Sequence, residues 1–247
     1  AADWYTVDNM RGWGADQGSS DEFLSANTSA AEISSTNSLG LTQTGFTSFN
    51  GGGETYIYMA IRRPHKPPTA GTEVFTPQAT RSATDGTPSE LAYTSGFSTD
   101  LLWQIIRSGG TYNATVLDRV RGDDLFLYTN GSGSEVTSTV WRFDSNEGIW
   151  LDGTYSAASN LGGLMFKRAP GFFDIVNFDG TGVARTEDHG LGVTPEFYIV
   201  KARNSTRDWS CYHSALGATK SIRIDRNLGP LTGAAYWNDT DPTATQF

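Results

Sequence analysis

The fold is indicated by an apolar, strand-like segment that the chain contains twice, as Asp100-Leu-Leu-Trp-Gln-Ile-Ile-Arg107 and as Glu196-Phe-Tyr-Ile-Val-Lys-Ala-Arg203. Each copy is followed by a polar loop, an aromatic stretch and a glycine, which is Gly122 after the first copy and Gly217 after the second. Aliphatic, β-branched and aromatic residues in such short runs favour strands buried in a sheet. One strand-rich supersecondary unit has therefore been used more than once.

A second correspondence extends the repeat to the start of the chain. Three residues recur with the same gaps, namely Asn27, Glu32 and Gly45, and later Asn130, Glu135 and Gly148. An Arg-Gly pair precedes each set, as Arg11-Gly12 and as Arg121-Gly122. Trp4 matches Trp209, which lies well inside the unit, and Phe247 corresponds to about Phe143. The chain is therefore expected to begin and to end within a repeat.

This register predicts one complete and two partial repeats. The predicted parts are the back of a first repeat (1–63), a Pro-rich linker (64–73), a complete second repeat (74–170) and the front of a third repeat (171–247). We interpret the chain as a segment of a longer protein. The alternative is that the two partial repeats complement each other, or a neighbouring chain, by strand exchange.

Composition supports an all-β fold of tandem antiparallel sandwiches. Glycine accounts for 28 of 247 residues, aromatic residues for 12% and charged residues for only 18%, as in proteins built from short strands and tight turns. The net charge of -9 repels phosphates and argues against nucleic acid as a partner. Cys211 is the only cysteine, so neither an internal disulfide nor a Cys-based metal site is expected. No apolar run approaches the roughly 18 residues of a membrane span, so no membrane insertion is expected.

Individual strands can also be placed. Leu164-Met-Phe-Lys-Arg168 is apolar enough to lie in the middle of a sheet, and Ser221-Ile-Arg-Ile-Asp225 alternates like a strand with one wet face. Gly148 begins the strand Gly148-Ile-Trp-Leu151, and a positive φ is the expected reason for a glycine there.

Several of these phrases resemble a domain found in tailed bacteriophages, especially those of marine bacteria and cyanobacteria. The resemblance lies in Gly171-Phe-Phe-Asp-Ile-Val-Asn-Phe-Asp-Gly-Thr-Gly182, in His189-Gly-Leu-Gly192, in Pro195 to Arg203, and in Trp237-Asn-Asp239. The other two repeats are similar through Val7-Asp-Asn-Met-Arg-Gly12 and Leu117-Asp-Arg-Val-Arg-Gly122.

This resemblance implies a concanavalin A-like, jelly-roll type β-sandwich that virion proteins such as tail fibres carry in tandem. It implies a chain that is assembled in the host cytoplasm, located in the virion and in contact with other virion subunits. Because fibres are commonly trimers, the resemblance implies a homo-oligomer, with a trimer favoured. The family is mostly of unknown function, so the resemblance supplies a context more than a mechanism.

No catalytic arrangement is found, and an enzyme is not expected. The chain lacks a Gly-x-Ser-x-Gly elbow, a His-Glu-x-x-His helix and a strand with alternating carboxylates. Cys211 and His213 share one face of a strand, where a thiol is most simply a packing group. His189 is interpreted as a hydrogen-bonding turn residue, and Asp118 as the partner of a nearby arginine.

Carbohydrate binding is the alternative to a purely structural role. The candidate binding residues are Trp13, Tyr236, Trp237, Asn238 and Asp239, because glycan sites combine aromatic platforms with amide and carboxylate groups on loops. Asp239 and Asp241 are calcium candidates, since Ca²⁺ prefers oxygen ligands. No other cofactor or metal is expected. The function predicted first is a spacer and docking arm of a phage fibre, and the alternative is a module that recognises host-surface glycans.

Overall fold

The computed structural model describes residues 4–8, 21–35, 59, 66–81, 91–108, 113–122, 125–138, 140–151 and 161–247. Over these residues the strands form four antiparallel sheets, and the helical content is a single 3-10 turn at Gly71–Glu73. The all-β prediction is confirmed. None of the described residues forms a helix with the length and apolar character needed to span a bilayer.

The first sheet is a three-stranded meander near the start of the chain. It contains β1 (Tyr5–Thr6), β2 (Asp21–Ser25) and β3 (Ile33–Ser35), paired in that order. We call it the first meander. The Tyr5 and Phe23 rings meet edge to face on it, with centroids 5.0 Å apart. Trp13 and Gly45, both quoted from the sequence above, lie outside the described residues.

The middle of the chain forms two sheets. Its strands are β4 (Phe75–Gln78), β5 (Leu91–Thr94), β6 (Leu101–Ile106), β7 (Thr115–Asp118), β8 (Leu125–Tyr128), β9 (Val136–Thr137), β10 (Trp141–Arg142), β11 (Gly148–Leu151) and β12 (Leu161–Phe166). One sheet has the order β4-β12-β6-β7-β8-β9, and the other has the order β10-β11-β5. The strand predicted at Leu164–Arg168 is present as β12, with bounds shifted to Leu161–Phe166, and it lies inside its sheet between β4 and β6.

These two sheets pack face to face as a sandwich. The residues between them are almost completely buried, and they come from both sheets and from the segments after β5 and β10: Ala92, Tyr93, Phe97, Leu102, Leu117, Trp141, Phe143, Ile149, Leu151 and Met165. Leu102 and Leu117 are directly paired on β6 and β7. Their alternation with outward-facing neighbours is the pattern of a sheet that covers one core with one face.

Gly148 corrects one expectation about its backbone. The residue is not among the glycines with positive φ. Instead, a Cβ at this position would lie 1.9 Å from the Tyr93 carbonyl oxygen. Glycine is required because β11 and β5 approach each other closely, as glycine in a strand often indicates.

The end of the chain forms a four-stranded meander. It contains β13 (Phe197–Val200), β14 (Ser210–His213), β15 (Lys220–Arg223) and β16 (Leu231–Thr232), paired in that order. We call this sheet the third meander and the β6–β9 part of the sandwich the second meander. β13 lies at a sheet edge, whereas β6 has neighbours on both sides. The predicted strand at Ser221–Asp225 is thus present, with bounds shifted to Lys220–Arg223.

The three meanders share one register. Tyr5 pairs with Ser25 as Thr115 pairs with Tyr128 and as Ser210 pairs with Arg223. The next hairpin repeats the match, with the pairs Phe23–Ile33, Phe126–Val136 and Ser221–Leu231. The first strands agree as well, since Trp103–Val116 corresponds to Ile199–Cys211. The repeat seen in the sequence is therefore a repeat of strand pairing, residue by residue.

Candidate docking interface between the second and third meanders

The third meander packs against the outer face of the second meander, the face turned away from the sandwich core. Val116, Leu127 and Trp209 are buried together there. Four partly buried apolar residues extend this contact, namely Leu101, Trp103, Ile199 and Ile224. Both meanders contribute, so this is an apolar interface between two repeated elements and is separate from the core of the sandwich.

The indole of Trp209 anchors the interface. Its Nε1 donates to the carbonyl oxygens of Tyr128 at 3.0 Å and Gly131 at 3.1 Å. Both acceptors belong to the end of β8 and the loop after it, which we call the β8–β9 loop (residues 129–135). Only 6% of Trp209 is exposed. A buried tryptophan whose N–H is satisfied combines a large apolar area with a directional contact.

Backbone contacts run along the same loop. The Glu135 amide donates to the Arg203 carbonyl at 2.7 Å, and the Arg207 amide donates to the Ser132 carbonyl at 3.0 Å. The Lys201 ammonium also donates to the Ser132 carbonyl, at 3.3 Å, and lies 6.0 Å from the Trp209 ring centroid. The loop is therefore held by main-chain as well as side-chain groups of the third meander.

The Glu135 carboxylate joins arginines from both sides. Arg203 of the third meander donates to it through Nε and Nη2, each at 3.0 Å to its nearer oxygen. Arg121 of the second meander donates through Nη1 at 3.1 Å. Only 13% of the Glu135 side chain is exposed. Paired, two-pronged guanidinium contacts of this type are among the stronger charged hydrogen bonds in proteins.

Arg121 is in turn fixed by Asp118, which confirms the ion pair predicted for that carboxylate. Asp118 accepts from the Arg121 side chain through Oδ2 and from its backbone amide through Oδ1. Burial alone would lower the pKa of the Arg121 guanidinium, but the charges and hydrogen bonds of Asp118 and Glu135 outweigh it and raise that pKa. The arginine therefore stays charged and keeps the Glu135 carboxylate in position.

Lys201 experiences the opposite balance. Burial lowers the pKa of its ammonium group, against the attraction of Asp225, Asp208 and Glu135. Its charge is thus partly desolvated by the interface.

Sequence reasoning identified Glu135 and Arg203 only as repeat markers. The signal for their pairing was present in the recurrence of Asn130 and Glu135, but no pattern within one strand shows which distant arginine a loop glutamate meets.

The glycan candidates lie elsewhere, at the turn after β16. The structure places Tyr236, Trp237, Asn238 and Asp239 in that turn, and Trp13 lies outside the described residues. Trp237 is half-buried, and its ring meets Tyr198 edge to face with centroids 4.9 Å apart. Its Nε1 donates to the Lys220 carbonyl at 2.9 Å. Part of the indole is therefore engaged with the sheet.

The polar residues of the same turn are exposed. Asn238 and Asp239 have φ of 51° and 50°, in the left-handed region that Asn and Asp tolerate better than most residues. The Tyr236 ring lies under the Arg223 guanidinium at 4.8 Å. Asp241, the second calcium candidate, accepts the Tyr212 hydroxyl at 2.9 Å. Across the described residues, no group of three or more His, Cys, Asp or Glu side chains is placed to hold a metal ion.

Two residues weighed as chemical candidates have structural contacts. Cys211 is fully buried on β14, and burial raises the pKa of its thiol to about 11. His189 accepts from the Leu191 amide through Nδ1, and its Nε2 lies 3.2 Å from the Thr243 carbonyl oxygen. The packing role predicted for Cys211 and the turn role predicted for His189 are confirmed.

Residues 167–247 match the model of a domain of unknown function (DUF7483). This match covers the whole third meander and the turn that follows it. No curated protein and no solved structure is significantly similar to the chain.

Proposed function

We propose that the chain is a structural part of a phage virion appendage, a tail fibre or another fibre, whose β-sandwich repeats act as spacer and docking modules. The observation that carries this proposal is the interface between the second and third meanders. It uses a buried tryptophan, a shared glutamate and main-chain contacts, so consecutive repeats are held together by specific contacts in addition to their covalent connection.

The phage context is supported by the sequence phrases that resemble phage appendage domains. The third meander and the phrases around His189 and Trp237 lie within the matched domain, residues 167–247. Under this proposal the partners are other virion subunits, the chain forms a homo-oligomer with a trimer favoured, and no reaction is catalysed. The concanavalin A-like topology belongs to the same proposal.

Immunogold electron microscopy tests the virion location. An antibody raised against the purified chain is applied to particles of the phage that encodes it. Label on a fibre or another appendage is the expected result. Label confined to unassembled protein in the lysate, with none on intact particles that bind a control antibody against another appendage, would overturn the proposal.

The second candidate function is recognition of host-surface glycans. One observation favours it: the turn after β16 places a half-exposed Trp237 beside exposed Asn238 and Asp239. Binding of the purified chain to a glycan array, with and without Ca²⁺, tests this candidate. Saturable binding that is lost in Asp239→Asn, which barely changes side-chain volume, would favour the glycan module. A folded chain that binds no glycan would remove it.

A further inference from the structure

We propose that the loop between β2 and β3 (residues 26–32, the β2–β3 loop) is a second docking site of the same kind. It would accept a β-domain that presents an arginine, a lysine and a tryptophan in the arrangement of Arg203, Lys201 and Trp209. This inference rests on the proposed docking function and names the partner of a further site.

The first argument is equivalence of sequence and register. The β2–β3 loop and the residue after it read Asn27-Thr-Ser-Ala-Ala-Glu-Ile33, and the β8–β9 loop reads Asn130-Gly-Ser-Gly-Ser-Glu-Val136. The flanking strands pair identically, since Phe23–Ile33 and Phe126–Val136 are corresponding pairs. Glu32 therefore occupies the position from which Glu135 receives Arg203.

The third meander provides an internal contrast. Its Ser221–Leu231 pair corresponds to Phe23–Ile33, which places Pro230 where the other two loops carry a glutamate. The acidic docking residue is thus present in the first and second meanders and replaced in the third. The first and second meanders therefore each have a loop with this glutamate. The third meander lacks it and instead carries the residues that dock, Arg203, Lys201 and Trp209.

The second argument is exposure. In the β8–β9 loop the glutamate is largely covered by the third meander, with 13% of the Glu135 side chain exposed. By contrast, residues 26–33 are all exposed, and Ile33, a strand residue with an apolar side chain, is 42% exposed. The same acceptor element therefore faces solvent in the first meander.

The occupant follows from the chemistry of the known interface. Glu135 accepts from the Arg203 guanidinium, and the Ser132 carbonyl accepts from the Lys201 ammonium and from the backbone amide of Arg207. Glu32 and the Ser29 carbonyl hold the corresponding positions in the β2–β3 loop, so a surface of the same positive character is complementary to it. The partner is a domain of the third meander's type.

One difference between the loops changes the balance of contacts. Thr28 stands where the second meander has Gly131, and both its amide and its hydroxyl donate to the Ser25 carbonyl, at 3.1 and 3.3 Å. The corresponding Tyr128 carbonyl accepts the Trp209 indole instead. The ion pair with Glu32 is therefore expected to contribute more to docking on the first meander than the indole hydrogen bond does.

The partner can be supplied by a second copy of the chain once its third meander is released. In the unaltered chain the third meander is tethered next to the β8–β9 loop, and a tether raises the effective local concentration far above that of free chains. Glu135→Lys places a positive charge against Arg121 and Arg203 and is expected to release it. The released third meander can then bind the β2–β3 loop of another copy.

Sedimentation velocity of the full chain at increasing concentration tests the inference. Hydrogen exchange at the backbone amides of residue 135 and Arg207, which donate across the interface, reports release. In the Glu135→Lys variant this exchange is expected to become faster, and the variant chains are expected to associate with one another. Adding Glu32→Lys should weaken that association at least tenfold, whereas adding Asp144→Lys, an exposed acidic residue of the sandwich, should not. Glu135→Ala repeats the measurement if circular dichroism shows that the lysine variant is unfolded.

The outcomes separate the two proposals. Unchanged exchange in both Glu135 variants would contradict the docking role of Glu135 and, with it, this inference. Faster exchange without association, or association that Glu32→Lys leaves intact, would overturn the second docking site while the interface within the chain stands.

Discussion

At the scale of single residues, Gly148 shows how strictly one position can be determined by a neighbouring strand. Any side chain at this position would begin with a Cβ 1.9 Å from the Tyr93 carbonyl oxygen and 3.1 Å from the Thr94 Cα. Both neighbours are backbone atoms of β5, so the clash cannot be relieved by a change of rotamer. The pairing of β11 with β5 thus depends on a residue without a side chain.

We predict that Gly148→Ala lowers the free energy of unfolding by about 3 kcal/mol or more, the upper end of the range typical of overpacked cores. Gly133→Ala is the matched control, because a Cβ there meets nothing within 4 Å. Urea unfolding followed by tryptophan fluorescence measures both variants. Equal stability of the two would show that β11 and β5 are not in close contact.

Tyr212 and Cys211 predict how stability changes at alkaline pH. The pKa of Tyr212 is raised from 10.0 to about 12, mainly by burial and further by the hydrogen bond to Asp241 and by the charge of that carboxylate. Burial raises that of Cys211 from 9.0 to about 11. Both groups hold their protons more tightly in the folded chain, so their stabilising effect is complete below about pH 9 and is lost as the pH approaches 11–12.

The free energy of unfolding should therefore fall between pH 9 and 12, with the Cys211 contribution lost between about 9 and 11 and the Tyr212 contribution between about 10 and 12. Lys201 acts in the opposite sense, since its lowered pKa means that the unfolded chain binds the proton more tightly. Comparison with Tyr212→Phe isolates the tyrosine: the decline with pH should be shallower in the variant. A variant with the same or a steeper decline would contradict the prediction.

At the scale of elements, the β8–β9 loop and Trp209 form the contact on which the docking account depends. Trp209→Phe keeps an aromatic ring against Val116 and Leu127 and removes the indole N–H, which is shared between two carbonyl oxygens. Trp209→Ala removes the ring as well. The two substitutions therefore separate the polar contribution of the tryptophan from its apolar contribution.

We expect Trp209→Phe to cost about 1 kcal/mol of stability for the loss of the shared indole hydrogen bond, and Trp209→Ala to cost about 3–5 kcal/mol. Denaturant unfolding measures both. Trp4→Ala is the control, since Trp4 holds the equivalent position in the first meander and is 62% exposed. A cost for Trp209→Ala no larger than that for Trp4→Ala would show that Trp209 does not hold an interface.

The strands could be predicted from the sequence because their signals are local. The runs at Leu101–Ile106, Phe197–Val200 and Gly148–Leu151 coincide with observed strands, since apolar content and flanking turns act within a few residues. The aligned glycines Gly122 and Gly217 have φ of 100° and 69°, so they recur because the turn after β7 and the turn after β14 need left-handed backbone.

The docking interface could not be predicted in the same way. Arg203 and Glu135 are 68 residues apart, and their contact depends on how one meander packs on another. Among the tryptophans, Trp13 and Trp237 were chosen from the sequence as glycan-binding candidates. Trp209, which anchors the interface, was recognised only as a repeat marker. Long-range packing determines which of several similar residues becomes buried, and a repeat alone does not contain that information.

At the scale of the whole molecule, the chain uses one meander three times in different surroundings. The second meander covers a sandwich core with one face and receives the third meander on the other. The first meander exposes the loop that corresponds to the docking loop of the second. Repetition of a strand pattern thus provides both a spacer and a recurring docking surface, which is the combination proposed for an appendage protein.

Hydrogen exchange of single backbone amides, read by nuclear magnetic resonance, is the most direct test that the third meander docks on the second. The Glu135 and Arg207 amides donate across the interface, and the Thr129 amide donates within the second meander, to Ala114. We predict slow exchange at all three amides in the unaltered chain. In Arg203→Ala, exchange should become at least tenfold faster at Glu135 and Arg207 and remain slow at Thr129. Fast exchange at Glu135 and Arg207 in the unaltered chain, with Thr129 protected, would contradict the docked arrangement.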